Sequence, residues 1–519
     1  MATGQPPKEE MSEEKDAVGR LGRNNRLSLI GSVVNGAAGF IVVLVLTNGL
    51  GEIRSGVVWI GAAVFNIAMQ TSVLGTDASL VRFIAQDRKA GRPGSISTLL
   101  RAALRPVIGI GIALSVAAFI FAEPIARLFV GEGEQVETPI ADVETAIRVV
   151  AVILPIGAVA MALLAATRGF GQVRTTALFD QIARPITQLI GVAAVVLLGL
   201  GPVAATAAWV GPIAISAIAA GSWLRKEMPE SDGQPVDTSE FWSFTRPQAG
   251  TGMLRVAVRW LDTLVVGALL GLGPASIYTS STRLLKLGDF FNQATFQSTA
   301  PQIAEDLSTG NITQARAIYR NSATWLALAT WPLYLGTLFY APEMLRLFGA
   351  EFVQGAPALQ ILATTSLFAS ACGPIEAVLV MSGRTKQNLI FNTLALVLNV
   401  GLGFALIPSL GLEGAAIAWA VSMVTTNLLP LIQVYRNLGI HPFSKTHLST
   451  MAAVSIGFAV TAAITRALDL PSLLTLVVGL GLAAIPWAGF AYWRRDELAL
   501  AQLLRSRSPK KPQLTQEKS

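Results

Sequence analysis

The sequence predicts an all-α polytopic membrane protein. About 14 transmembrane helices are expected, in two pseudo-repeated six-helix lobes plus two C-terminal helices, with both termini cytosolic (N-in/C-in). Three observations predict it. Apolar runs of about 20 residues, each long enough to span a bilayer, recur along most of the chain. Lys and Arg concentrate in alternate loops. A set of short motifs returns 219 positions later in the chain.

Composition sets the class. The 519 residues are 52% hydrophobic and 14% charged, against about 25% charged in an ordinary soluble protein. The one cysteine, Cys372, excludes a disulfide framework or a thiolate zinc site. His441 and His447 fall in one polar loop and are expected to be solvated there, without a catalytic partner. No Walker motif is present, so direct ATP hydrolysis is not expected. Neither a bound cofactor nor a metal site nor a nucleic-acid partner is expected. The coupling ion, H+ or Na+ if there is one, is left open.

The spans are placed at 27–50, 55–75, 98–122, 144–167, 181–200, 202–223, 248–271, 274–298, 321–341, 355–381, 389–409, 413–435, 448–468 and 472–493. Segment 1–26, polar and mixed in charge, is expected to be a disordered cytosolic tail with no cleavable signal. Residues 27–223 form the N-terminal lobe (spans 1–6), and 224–247 a cytosolic linker. Residues 248–436 form the C-terminal lobe (spans 7–12), 448–493 hold spans 13 and 14, and 494–519 form a basic cytosolic tail beside the lipid heads. Inner loops carry Arg82, Arg88, Lys89, Arg92, Arg168, Arg174, Arg225, Lys226, Arg246, Arg316, Arg320, Arg384, Lys386, Arg436 and Lys445. Outer loops carry only Arg54, Arg127, Arg346 and, at a span end, Arg466. The longest outer loop, 123–142, is too short for an external catalytic domain.

The repeat is readable by eye. Ile84-Ala85-Gln86-Asp87 returns as Ile303-Ala304-Glu305-Asp306, Gly91 as Gly310, and Ala122 as Ala341. Arg127-Leu128-Phe129 returns as Arg346-Leu347-Phe348, and Glu132 as Glu351. With small indels, Gly49-Leu50-Gly51 matches Gly271-Leu272-Gly273, and Gly199-Leu200 matches Gly411-Leu412. Two parallel-topology halves of this kind point to a transporter with its site near the midplane. A duplicated scaffold is the other reading.

Ionisable residues inside spans are costly and mark function. Arg255, Arg259 and Asp262 share one face of span 7, and Arg283, Lys286 and Asp289 share a stripe of span 8. At about 1.5 Å per residue, Arg255 and Asp289 lie about 12–14 Å from the inner end, Arg259 and Lys286 about 18 Å, and Asp262 and Arg283 about 22 Å. Asp289 is therefore expected to pair with Arg255 and Asp262 with Arg283, leaving Arg259 and Lys286 as net positive charge near the midplane. Such a cavity suits an anion, phosphate above all. The alternative is closed structural pairing of all six. Arg184, with Asp180 one turn away beside Pro185, is the first-lobe counterpart. Arg101 and Arg105 are expected to snorkel. Asn35, Asn66 and Gln70 either line the cavity or bond across helices. Glu376 is either a coupling carboxylate or a packed polar residue. Pro106, Pro155, Pro185, Pro212 and Pro374 are expected to kink their spans.

The segment from Asp262 to Tyr278, Asp-Thr-Leu-Val-Val-Gly-Ala-Leu-Leu-Gly-Leu-Gly-Pro-Ala-Ser-Ile-Tyr, followed by Arg283-Leu-Leu, resembles the seventh-to-eighth-span region of polysaccharide transporters. These belong to the multidrug/oligosaccharidyl-lipid/polysaccharide exporter superfamily. Ile277 replaces the glycine usual there. Leu50-Gly-Glu, Ala78-Ser-Leu-Val-Arg-Phe-Ile-Ala and Gly383-Arg-Thr are similar to other family segments, and the resemblance covers about 27–435. The arginine-rich N-terminal signature of the lipid II flippase branch is not found. Drug exporters of the superfamily usually have twelve spans.

The resemblance implies a non-enzymatic flippase for an undecaprenyl-diphosphate-linked oligosaccharide, in a bacterial plasma (inner) membrane and working by alternating access. Membrane lipids, and glycosyltransferases and a polymerase of the same pathway, are its expected partners. A cation-coupled multidrug exporter and a membrane glycosyltransferase or polymer ligase are the alternatives.

Overall fold

The computed structural model describes residues 8–130, 140–228 and 238–494. The tail 495–519, the middle of the linker 224–247 and residues 131–139 of the loop 123–142, including Glu132, lie outside them. Described in chain order, the first helices are α1 (Lys8–Val73), α2 (Thr76–Lys89), α3 (Pro93–Ile120), α4 (Ala122–Arg127), α5 (Ile140–Gly169) and α6 (Val173–Thr175). A π-helical stretch, Thr176–Ala183, leads into α7 (Arg184–Leu197), α8 (Gly201–Val210), α9 (Ile213–Glu227), α10 (Ser239–Leu270) and α11 (Leu272–Ser308). Then come α12 (Ile312–Phe339), α13 (Ala341–Arg346), a 3-10 turn (Ala350–Gly355), α14 (Ala356–Ala371), α15 (Ile375–Met381), α16 (Thr385–Leu438), α17 (Lys445–Ala467) and α18 (Ser472–Trp493). There is no strand among the described residues.

Helical backbone makes up most of each expected span. Among the described residues, eight helical segments are long and apolar enough to cross a bilayer; two of them, Ile30–Lys89 and Thr385–Leu438, each hold two expected spans. Those spans meet at Gly51 and Gly411, the non-helical residues inside α1 and α16. Large apolar side chains stand exposed on these helices, among them Ile218 at 70% and Ile485 at 67%. Hydrocarbon is the solvent that makes such exposure favourable.

One difference from expectation concerns the chain's start, and the prolines fall in two groups. Helix α1 begins at Lys8, inside the segment expected to be disordered. Its opening sequence, Lys-Glu-Glu-Met-Ser-Glu-Glu, is a helix-forming composition. The chain breaks helix at Gly211-Pro212 and at 372–374, beside Pro374, whereas Pro106 and Pro155 sit inside uninterrupted α3 and α5.

The repeat is visible in the backbone. Helices α3 and α12 begin and end 219 positions apart, and so do α4 and α13. Gly199 and Gly411, 212 apart, both have positive φ. Gly51 (φ 76°, ψ 179°) matches Gly271 (φ 98°, ψ −174°), a conformation open only to glycine. The backbone thus pairs Gly51 with Gly271, two positions from the register read in the sequence.

The chain forms two compact units. The first comprises 1–280 with 347–352 and 403–412; the second comprises 281–346, 353–402 and 413–519. In the first, Leu80 and Ile84 of α2, Leu99 of α3, Ala162 of α5, Leu224 of α9 and Phe241 of α10 share one buried cluster. Thr245 of α10 donates to Ser79 of α2 at 2.8 Å, and Ser55 of α1 bonds Ser276 of α11 at 2.7 Å. In the second, Ile303, Tyr319, Cys372, Leu379, Val434 and Ile440 form one core, and Leu335, Val454, Phe458 and Ala483 tie α12 to α17 and α18.

The histidines depart from the sequence reading. His447 is fully buried and donates from Nε2 to the Ala371 carbonyl at 3.0 Å. Ser444 caps α17 by accepting from the His447 amide, so the helix starts early enough to carry this ring inside. His441 is half-buried rather than solvated: Arg320 donates to its carbonyl at 3.2 Å and to its Nε2 at 2.8 Å. Desolvation, then the charges of Arg320 and Arg316, lower its pKa.

Gly56 tests the packing of the first unit. A Cβ there would lie 2.3 Å from the Leu272 carbonyl oxygen, whereas one at Gly39 would meet nothing within 4 Å. Gly56→Val is expected to destabilise the detergent-purified protein by about 1–3 kcal/mol in thermal unfolding. Gly39→Ala is expected to change stability by under about 1 kcal/mol. Equal midpoints for the two variants would contradict this packing.

Candidate functional site

Charged residues within apolar helices are the candidates, and each unit is taken by itself. In the first unit, Asp180 sits in the π-helical stretch and Arg184 opens α7 one turn later. Pro185, next in line, has no amide to donate and would crowd the carbonyl four residues back in a regular α-helix. Widening by one residue per turn relieves that crowding, and π turns of this kind gather at functional sites. The Arg184 Nε lies 3.3 Å from Asp180 Oδ1, each side chain 24% exposed. Ser216 of α9 donates to the same oxygen at 3.3 Å and to the Phe179 carbonyl at 3.4 Å. The neighbouring Gln181 packs on α1 where Gly31 leaves room: a Cβ there would lie 2.6 Å from Gln181 Oε1. The guanidinium is thereby held by its own helix, and the widened turn by the helix opposite.

Arg255 and Arg259 lie on α10, and their side chains lie outside the described residues. Asp262, on the same helix, is half-buried within electrostatic reach of the buried Tyr278 hydroxyl. Thr263 and Thr279 join α10 to the first turns of α11 through hydroxyls 3.2 Å apart. Farther along α11, in the second unit, Arg283 and Lys286 are half-buried and Asp289 is exposed, within electrostatic reach of Tyr334. The expected Asp289–Arg255 and Asp262–Arg283 pairs each involve both units and stay expectations.

The uncharged candidates divide. Asn66 donates to the Ala62 carbonyl of its own helix at 2.7 Å, while Asn35 is exposed. Gln70 packs on α10 at Gly252, where a Cβ would lie 2.9 Å from its Nε2. Glu376 is exposed and accepts from Asn388 at 3.1 Å. Arg101 and Arg105 are exposed, and Arg101 bends back to the Ser97 carbonyl at 3.2 Å, as a snorkelling residue does. No group of three metal-ligating side chains occurs among the described residues. Ser216 and Gln181 were not singled out in the sequence. The signal available for them was Asp180-Gln181 preceding a proline by a turn.

The charged helices α7 and α10, and α11 through residue 305, all fall within one stretch of known type. A family model described as "Polysaccharide biosynthesis protein" matches residues 21–305. The chain belongs to this family. A second family model, MatE, matches 247–405.

The "Probable low-salt glycan biosynthesis flippase Agl15" of Haloferax volcanii is 29% identical over 178 residues, 33% of this chain and 36% of that protein. The chain thus spans about a third of that relative's length. Among solved structures, "Lipid II flippase MurJ, inward closed conformation" matches with a TM-score of 0.69 at 14% identity, covering 91% of this chain and 99% of that one. An inward-facing multidrug resistance MATE family transporter of the MOP superfamily matches with a TM-score of 0.64 at 14% identity, covering 79% of this chain and 98% of that one. This family member therefore has the polytopic fold of that superfamily and is a multi-pass membrane protein.

A double-mutant cycle tests the Asp180–Arg184 pair. Asp180→Ala is expected to destabilise by about 1–3 kcal/mol, since it strands a mostly buried guanidinium and removes one of the two acceptors of Ser216. Asp180→Ala/Arg184→Ala should recover part of that loss in thermal unfolding. Strictly additive effects would show that the two charges do not act as a pair.

Proposed function

We propose that this protein flips a polyprenyl-diphosphate-linked oligosaccharide, a precursor of a cell-surface polysaccharide, from the cytosolic to the outer face of the plasma membrane. The observation that carries the proposal is the polysaccharide-biosynthesis family match, which includes Arg184, Arg255, Arg259, Arg283 and Lys286. The likeness to a probable glycan-biosynthesis flippase over a third of the chain supports it.

The chain crosses the membrane fourteen times with both termini inside, and its repeated halves alternate access to the two faces. The cations recognise the diphosphate through charge-assisted hydrogen bonds, for which the guanidinium fork is suited. The polyprenyl tail stays in lipid. The host is bacterial in this reading, and the glycosyltransferases and polymerase of the same pathway supply and consume the substrate. No covalent chemistry is required of the protein, and the membrane potential or an H+ or Na+ gradient is the proposed energy source. A multidrug-exporter reading has one observation in its favour, the MatE match over 247–405.

Deleting the gene in its host is expected to accumulate lipid-linked oligosaccharide on the cytosolic face, measured with a membrane-impermeant glycosidase. Wild type should restore export, and Arg259→Ala/Lys286→Ala should lower it by about tenfold or more, as for loss of charged hydrogen bonds. Unchanged oligosaccharide with heightened sensitivity to cationic drugs would replace the flippase reading by the exporter one.

A further inference from the structure

A cluster of cations on α12 lies entirely within the second unit. A cavity of about 380 Å³ opens between the N-terminal half of α12 and the start of α17, lined by Thr313, Arg316, Arg320, Trp325, Ser444 and Thr446 among others. Its electrostatics are one-sided. Neither stretch that builds it, 307–342 or 414–468, contains an Asp or Glu. Among the described residues, neither Arg316 nor Arg320 makes an ion pair with a carboxylate.

The two arginines are set differently. Arg320 is fixed by its bonds to the His441 carbonyl and imidazole. Arg316 keeps a buried Nε that has no hydrogen-bond partner, and a buried donor of that kind is costly unless something accepts from it. The third contribution comes from α17. Ser444 is its N-cap and satisfies the His447 amide, while the amides of Lys445 and Thr446 precede the first intrahelical donors. A 23-residue helix thus ends with open amides and positive dipole character between two lining hydroxyls, Ser444 and Thr446.

We infer that this cavity binds the phosphate group of a phosphate ester. Two guanidinium groups, two hydroxyls and a helix N-terminus are the donor set for a phosphoryl oxygen cluster. The volume leaves room beside Trp325 for the group esterified to it. The source is either a lipid headgroup or a soluble ester. Phe443 and Leu448, exposed apolar residues flanking the cavity's α17 wall, would lie in hydrocarbon if the headgroup is the source. The site is independent of the flipping proposal, since it needs neither the α10–α11 charges nor transport.

The test uses the full chain in neutral detergent, with phosphatidic acid and glycerol 3-phosphate as matched probes and phosphatidylcholine as control. Binding is read by native mass spectrometry for lipid and by calorimetry for the soluble ester. Arg316→Met should weaken phosphate binding by about tenfold or more. It should leave the unfolding midpoint of the empty protein unchanged, because the Arg316 Nε makes no hydrogen bond to lose. Arg174→Met, an exposed cation of the first unit, should leave binding as in wild type. Retention of phosphatidic acid alone assigns the headgroup, and retention of glycerol 3-phosphate alone assigns a soluble ester. Binding of neither probe, or equal binding by wild type and Arg316→Met, would overturn the inference.

Discussion

In hydrocarbon, every backbone amide and carbonyl must find its partner within its own segment, and that constraint governs the rest of this molecule. It makes the chain helical through each apolar run, and it makes each interruption of helix expensive. The interruptions are therefore few and chemically specific. Gly51 and Gly411 take conformations that glycine adopts without cost and split two long helices into expected spans. The π-helical stretch before Pro185 keeps the chain helical where a proline would otherwise leave carbonyls without donors, and Ser216 supplies a hydroxyl to the Phe179 carbonyl there.

The same constraint explains why charges in these helices carry information. A lone charge in lipid is costly, so each charged residue must be held by a neighbour or face water. Asp180 and Arg184 show the first solution, with Ser216 as a third member. The cations of α10 and α11 lie in the stretch that identifies the family, and in our reading they serve an anionic headgroup. The Arg316–Arg320 cavity is a separate concentration of positive charge at the ends of α12 and α17, without an acidic residue in either stretch.

Much of the fold was legible in the sequence because it rests on period and composition. Apolar runs located the eight segments that, among the described residues, are long and apolar enough to cross a bilayer, and the return of Ala122 as Ala341 foreshadowed two helices with the same bounds 219 positions apart. What was not legible depends on which turn a residue falls in. His447 read as a loop residue because it follows Pro442 and Lys445, but the Ser444 cap starts the helix early enough to bury it. The Gly51–Gly271 match was read two residues out of register, since the Gly-Leu-Gly triplets align better as letters than as dihedral angles. The π turn has no compositional mark of its own beyond the proline that follows it. Asp180 and Arg184 were singled out because charge in an apolar run is conspicuous, whereas Ser216, which donates to Asp180, is of a type common in such helices.

The central claim, that the protein moves a lipid diphosphate oligosaccharide across a bilayer, is most directly tested in proteoliposomes containing only the purified chain and a fluorescent polyprenyl-diphosphate oligosaccharide. An imposed H+ or Na+ gradient drives the assay, and a membrane-impermeant quencher reports the sugar's face over time. The account predicts protein-dependent transfer that is fast against empty liposomes and lost in Arg259→Ala/Lys286→Ala. Transfer at the rate of empty liposomes under both gradients, by a folded protein that instead exports a cationic dye, would contradict it.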